Sequence, residues 1–266
     1  MRKLIKKNTA VYIMACGIFA NYQQFRNWLR ADNRVLKKYK KCHYGERCFI
    51  IGSGPSLTVS DLDQLKGEYT FASNKIFTVF DKTAWRPTYY VVSDSDVMPE
   101  MYENSAKFDS QIRAKFFPAN FRDGCSGENL NTVFYNYIGC DVTGRTPPMF
   151  SDNMAKYLGE GFSVAYVAIQ IAVYMGFSEI YLLGLDFSWP VYQDCEGNIF
   201  ENGQAKHRFY EENHEEDELS IPNVELMEKA YREARKYCDK HGIRIYNATR
   251  GGKLEVFERI DFERLF

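Results

Sequence analysis

Between Phe162 and Asp186 the chain carries two apolar stretches separated by a glycine, and no other feature restricts its fold as strongly. Phe162 to Met175 is apolar on nearly every face, so it predicts a helix buried all round rather than an amphipathic surface helix. Gly176 is its stop signal. Glu179 to Asp186, E-I-Y-L-L-G-L-D, then reads as a strand whose continuous apolar run predicts cover on both faces. A buried helix feeding a central strand is the core of an α/β chain.

The remaining pattern agrees. Cys48-Phe49-Ile50-Ile51 is a short apolar run entering the tight turn Gly52-Ser53-Gly54-Pro55. A short helix over Asp61 to Lys66 follows, then strands over Tyr69 to Ser73 and Thr88 to Ser93. The stretch Val97 to Asp152 holds one helix-like segment and strands around 115–117 and 132–137. Ser188 to Ser220, with an acidic run from Glu211 to Glu218, is too long for an ordinary connection and reads as a lid. Pro222 to His241 is an amphipathic helix stopped by Gly242, and Ile243 to Tyr246 is the last strand. Alternating strands and helices predict an α/β fold, a mostly parallel Rossmann-like sheet with helices on both faces. Ligands of such sheets sit at the carboxyl ends of the strands.

At 266 residues the length suits one such domain and permits two small ones. The net charge of -1 hides an asymmetry. Residues 1–48 hold twelve Lys and Arg against Asp32 and Glu46, about +10, which leaves about -11 for the rest. A basic helical arm over 1–45 ahead of a nucleotide-binding domain over 46–266 suits an anionic membrane face better than a nucleic acid, whose readers spread their charge along the fold. Tyr22 to Lys41 supports this with apolar Tyr22, Phe25, Trp28, Leu29, Leu36 and Tyr39 opposite Arg26, Arg30, Arg34, Lys37 and Lys41. Packing on its own domain explains the apolar stripe equally well. Thr9 to Ala20 follows four basic residues like a signal peptide, but a dozen residues is short of the ~20 that span a bilayer. It reads as an interfacial helix or one docked on a partner subunit, a second copy of the chain included.

Seven cysteines without a CxxC pair indicate neither a disulfide framework nor a zinc site. Cys238 and His241 lack a second ligand pair. A reducing cytoplasm, with contact at the inner membrane face through the arm, is the expected location.

Several residues could carry chemistry. Gly52-Ser53-Gly54 after a strand suits close approach to phosphate or ribose, and a tight structural turn is the alternative. Leu57 stands where a dinucleotide fingerprint has its third glycine, which argues against NAD or FAD. Asn74 ends the second strand where it could bond a ribose or base edge, or cap a turn. Asp94 and Asp96 could form a D-x-D metal pair, or recognise a sugar and cap a helix respectively. Asp186 closes the strongest strand, with Gly184 giving room beside it; it could bind ligand or cap neighbouring amides. His207 and His214 lie in the lid, where a closing loop could carry a general base, and Glu215, Glu216 and Asp217 would raise the pKa of His214.

G-S-G-P-S-L after the first strand, N-K-I-F after the second, and the F-S-V-A-Y…L-L-G-L-D-F segment together resemble the small bacterial CMP-sialic acid transferases, from Arg47 onward. The ending Y-N-A-T-R-G-G-K-L-E-V-F is similar to the broader family that includes hydroxymethylpterin diphosphokinases and flagellin-modification proteins. The resemblance implies that Gly52, Ser53, Gly54, Asn74, Gly184 and Asp186 bind the nucleotide, that Asp94 and Ser163 lie near the donor sugar, and that Tyr192 holds the donor phosphate. Ser188 stands where the family has its first phosphate-binding tyrosine, and Ser53 replaces an asparagine.

The function implied is transfer of a sialic acid-like sugar from a CMP-activated donor to a glycan acceptor in polysaccharide biosynthesis. It would run without metal or cofactor, with His207 or His214 as base. The alternatives are a Mg-ATP-dependent pterin diphosphokinase, with Asp94 and Asp96 as metal ligands, and a non-catalytic nucleotide-binding scaffold.

Overall fold

The structure is a computed structural model that describes residues 22, 25–26, 28–94, 97–125, 129–141, 144, 146–203, 209 and 221–266. The arm segment Thr9 to Ala20, Asp96, His207 and His214 lie outside them.

Eight strands form one sheet, each hydrogen-bonded in parallel to its neighbours. They are β1 (Arg47–Ile51), β2 (Tyr69–Ser73), β3 (Tyr89–Val91), β4 (Ala114–Pro118), β5 (Thr132–Tyr135), β8 (Glu179–Leu183), β11 (Arg244–Asn247) and β12 (Glu258–Arg259). Their order across the sheet is β12-β11-β8-β1-β2-β3-β4-β5. From β1 the chain builds outward on one side as far as β5, then returns to build outward on the other from β8. The order therefore reverses between β1 and β8, where doubly wound sheets open a crevice.

Side chains alternate between two cores, as strand geometry requires. Cys48 and Ile50 of β1 join the core under α4 (Val164–Met175) and α5 (Val224–His241). Phe49 and Ile51 face the other core, under α2 (Val59–Gln64) and α3 (Met98–Ala106). Every residue of α4 from Ala165 to Met175 is buried, as its all-round apolarity predicts. Gly176 ends it at φ +91°, its N–H bonded to Ala172 and Val173 carbonyls. The one polar side chain inside α4, Gln170, binds Ser151 N–H and both backbone groups of Gly159 at 2.9 Å each. It thereby holds the small strand pair β6 (Tyr137–Ile138) and β7 (Leu158–Gly159) against the helix.

The lid segment starts as an ordered hairpin, β9 (Val191–Gln193) with β10 (Ile199–Glu201), whose turn is capped by Asp194 receiving Glu196 and Asn198 N–H. Residues 22, 25, 26 and 28–30 are helical, and a break at Ala31-Asp32 precedes α1 (Asn33–Leu36). Asp32 exchanges hydrogen bonds with both backbone groups of Phe134 on edge strand β5, and Leu36 is fully buried. From Asp32 onward this stretch packs on the body, whereas Tyr22, Phe25, Trp28 and Leu29 stay exposed. Among the described residues no helix is long and apolar enough to cross a membrane. The six described cysteines are free thiols.

Candidate functional site

A cavity of about 1020 Å³ opens at the β1/β8 reversal and runs over the carboxyl ends of β2 and β3 toward β6 and β7. It is as large as small-molecule sites become. Its floor is made where two loops cross. Gly52 N–H donates to Leu183 O and Gly54 N–H to Gly184 O, each at 2.8 Å. A Cβ on Gly52 would come within 2.8 Å of Gly184 C, and one on Gly54 within 2.7 Å of Gly184 O and on top of the Asp186 carboxylate. The two glycines are thus required by the loop after β8, at φ +68° for Gly184 itself.

Asp186 clamps the crossing. It is 8% exposed, and its carboxylate accepts Ser56 N–H at 3.2 Å and Ser56 Oγ–H at 2.7 Å. Burial pushes its carboxyl up, and the Ser56 bonds oppose the rise. Its backbone oxygen accepts Lys253 N–H at 2.7 Å, which ties the C-terminal R-G-G-K turn to the same point.

Gly52, Ser53, Gly54, Asn74, Asp94, Ser163, Gly184 and Asp186 all line this one cavity. Asn74 adopts φ +51°; its carbonyl accepts the Tyr90 hydroxyl at 2.7 Å, and its buried Oδ1 has no partner. Phe162 and Phe187, also lining, share the left-handed backbone at φ +57° and +52°. Non-glycine residues held there store strain, and such positions gather at functional sites. Ser163 is the N-cap residue of α4, so the positive end of that helix dipole faces the cavity. Its Oγ bonds the Tyr231 hydroxyl at 2.8 Å instead of capping the helix. Burial raises the Tyr231 phenol to about 12.

Tyr192 is outside the lining. It sits on β9 with its ring stacked on Phe200 at 5.2 Å, where the alternation of the hairpin turns it away from the cavity, while the next residue, Gln193, lines it. Ser188 and Trp189 line the wall nearby. Phe209, two positions after His207 in the sequence, donates its N–H to Ser53 O at 3.1 Å.

Three lining residues lack a distinct sequence signal. Glu160 lies between Gly159 and Gly161, and a charged residue flanked by glycines before a buried helix is its one pointer. Asn120 follows β4 and carries a buried, unpartnered Oδ1. Tyr231 is hidden in the apolar stripe of α5. Among the described lining residues there are five carboxylates, Asp94, Glu160, Asp186, Asp194 and Glu196, and no Lys, Arg or His. Among the described residues no group of three or more His, Cys, Asp or Glu is placed to hold a metal ion.

The sequence profile of the family described as 6-hydroxymethylpterin diphosphokinase MptE-like matches residues 16–191. No curated protein sequence matches the chain. Among solved structures the chain is similar to the MAf glycosyltransferase from Magnetospirillum magneticum AMB-1, at 15% identity and a TM-score of 0.54, over 85% of this chain. The match spans 35% of that longer protein. The sialyltransferase CstII from Campylobacter jejuni, solved with cytidine-5'-monophosphate as a substrate analogue, matches at 14% identity and a TM-score of 0.48, over 82% of this chain and 85% of its own. At these identities the likeness is one of fold.

Proposed function

The chain belongs to the 6-hydroxymethylpterin diphosphokinase MptE-like family, and within that family we propose that it works as a nucleotide-sugar-dependent glycosyltransferase. The observation that carries this reading is the division of a single cavity. One half offers the glycine loops and the amino end of α4, a setting for a nucleotide and its phosphate. The other offers the carboxylates of Asp94 and Glu160, acceptors suited to sugar hydroxyls.

In the proposed reaction an acceptor hydroxyl loses its proton to a base and its oxygen attacks the anomeric carbon from the face opposite the phosphate. The bond to the phosphate oxygen breaks and the electron pair leaves with the nucleotide. The base is a lid histidine, His207 or His214. His207 is favoured because it is the nearer of the two in sequence to Phe209, whose N–H bonds Ser53 O. The finer expectation of a CMP-activated sialic acid rests on the resemblance alone.

The second reading is the diphosphokinase that the family description names. It must neutralise a triphosphate. The described lining is acidic and without cationic side chains to share that charge, which favours the first reading.

A thermal-shift series with CMP, UDP, GDP and ATP, each with and without magnesium, tests the choice. We expect stabilisation by CMP, UDP or GDP and none specific to Mg-ATP; the reverse result overturns the reading. Loss of donor hydrolysis in His207→Ala, with His214→Ala near wild type, is expected for the base.

We further propose that residues 1–30 contact an anionic membrane face. Tyr22 and Phe25 are 59% and 58% exposed beside a strongly basic segment.

A further inference from the structure

The far half of the cavity holds a carboxylate with no part in the reaction so far. Glu160 follows β7 and is held on both sides. Its N–H donates to Ile138 O at 2.8 Å, and Gly159 before it is bonded through both backbone groups to buried Gln170. A Cβ on Gly159 would overlap Met149 O, and one on Gly161 would come within 2.6 Å of the Tyr166 ring and 2.8 Å of Ala230, so the backbone has no slack. The Glu160 carboxylate accepts Cys140 N–H at 3.2 Å and lines the cavity together with Asp94. Burial pushes its carboxyl up, the Cys140 amide opposes this, and the Asp94 charge adds to the rise.

This set is built of acceptors. A ligand that satisfies it brings donors, and hydroxyl groups donating to an ionised carboxylate form the stronger class of hydrogen bond. A ligand that brings a carboxylate meets fixed negative charge in a site partly removed from water, where like charges repel most.

We propose that Glu160 determines which sugar the enzyme takes: its carboxylate accepts hydrogen bonds from the hydroxyls of a neutral or amino sugar and excludes sugars that carry a carboxylate. The proposal rests on the glycosyltransferase reading of the cavity. It places the donor outside the sialic-acid class even if the nucleotide is cytidine. The α4 amino terminus at Ser163 is three residues from Glu160, so a phosphate held there puts the attached sugar within reach of it.

The test uses the full chain and three matched donor pairs in titration calorimetry. These are UDP-glucose with UDP-glucuronate, GDP-mannose with GDP-mannuronate, and the methyl ester of CMP-N-acetylneuraminate with the free acid. Within each pair one neutral group, a hydroxymethyl or a methyl ester, is exchanged for a carboxylate. On whichever base binds, the neutral member is expected to bind about 10-fold tighter to wild type, and Glu160→Gln is expected to close that gap. Equal or tighter binding of the acid, or a gap that survives in Glu160→Gln, overturns the proposal and leaves the glycosyltransferase reading standing. The wild-type comparison decides alone if Glu160→Gln does not fold. Failure of every pair to bind, with ATP binding, removes the glycosyltransferase reading and the proposal with it.

Discussion

Gly54 cannot carry a side chain, because its missing Cβ is the space occupied by the Asp186 carboxylate and Gly184 O. Gly54→Ala is therefore expected to destabilise the fold by about 1–3 kcal/mol, the usual cost of overpacking, and to remove the thermal shift produced by whichever nucleotide stabilises wild type. Urea denaturation and the shift assay read the two effects; an unchanged midpoint would mean that the loops separate freely. The glycines are legible from the sequence as a place of close approach, yet the approaching group there is the loop of residues 184–186, about 130 positions away. Asp186 illustrates the same limit. The capping reading describes its bonds to Ser56, and its place in the cavity lining leaves the binding reading as a proposal. Asn74 is visible as a strand-end amide, but its left-handed backbone and unpartnered oxygen depend on packing that no local pattern encodes. Tyr192 is chosen by resemblance, and the hairpin alternation places it elsewhere.

Long, strongly periodic elements are the ones a sequence displays. The predicted buried helix over Phe162 to Met175 differs from α4 by two residues, and β1, β2 and β8 fall where their apolar runs lie. Two-residue strands such as β6, β7 and β12 present no period at all, and Glu160 is invisible for that reason, being placed by β7. β4 is a different case, a central strand with a lysine in it. Lys115 is fully buried, donates to Ser105 O at 3.3 Å and to Asn129 Oδ1, and burial lowers it from 10.5 to about 8. Below pH 8 both folded and unfolded chains hold this proton, and the full cost of burying the ammonium is present. Between pH 8 and 10.5 the folded protein releases it first, the unfolded chain binds more protons, and stability rises with pH. Wild type is thus expected to gain stability relative to Lys115→Met from pH 8 to 10, by at most about 1.4 kcal/mol per pH unit. Buried tyrosines titrate alike in both proteins and cancel. Parallel pH curves of the two urea midpoints would refute the assignment.

For the whole molecule, alternation of strands and helices is enough to predict a parallel doubly wound sheet, and the crevice position follows from strand order. Strand order itself is not legible, because each pairing joins segments far apart in the chain. The charge asymmetry is legible and has a spatial counterpart. The arm base is fastened to the β5 edge through Asp32 and Phe134 and to Asp123 through Arg30, which blunts an otherwise open strand. Beyond it project Phe25, Trp28 and Leu29. The protein is expected to sediment with vesicles rich in anionic lipid and much less with neutral ones. Replacing Phe25, Trp28 and Leu29 together by serine should abolish this without changing the melting temperature, since these side chains are exposed. Undiminished sedimentation of that variant would reject the membrane role.

The place of β1 also sets a timetable. Among the described strands of the sheet it is the earliest in chain order and becomes an inner one, with β8, its partner across the crevice, arriving 132 residues later. At ordinary translation speeds that interval lasts about 7 to 26 s. Throughout it, one side of an apolar strand shows unpaired amides and carbonyls to the surroundings, the most adhesive surface that a growing chain can present. The cavity at the β1/β8 reversal thus cannot exist until β8 has been made, and until then the strand that will form its wall is open on that side.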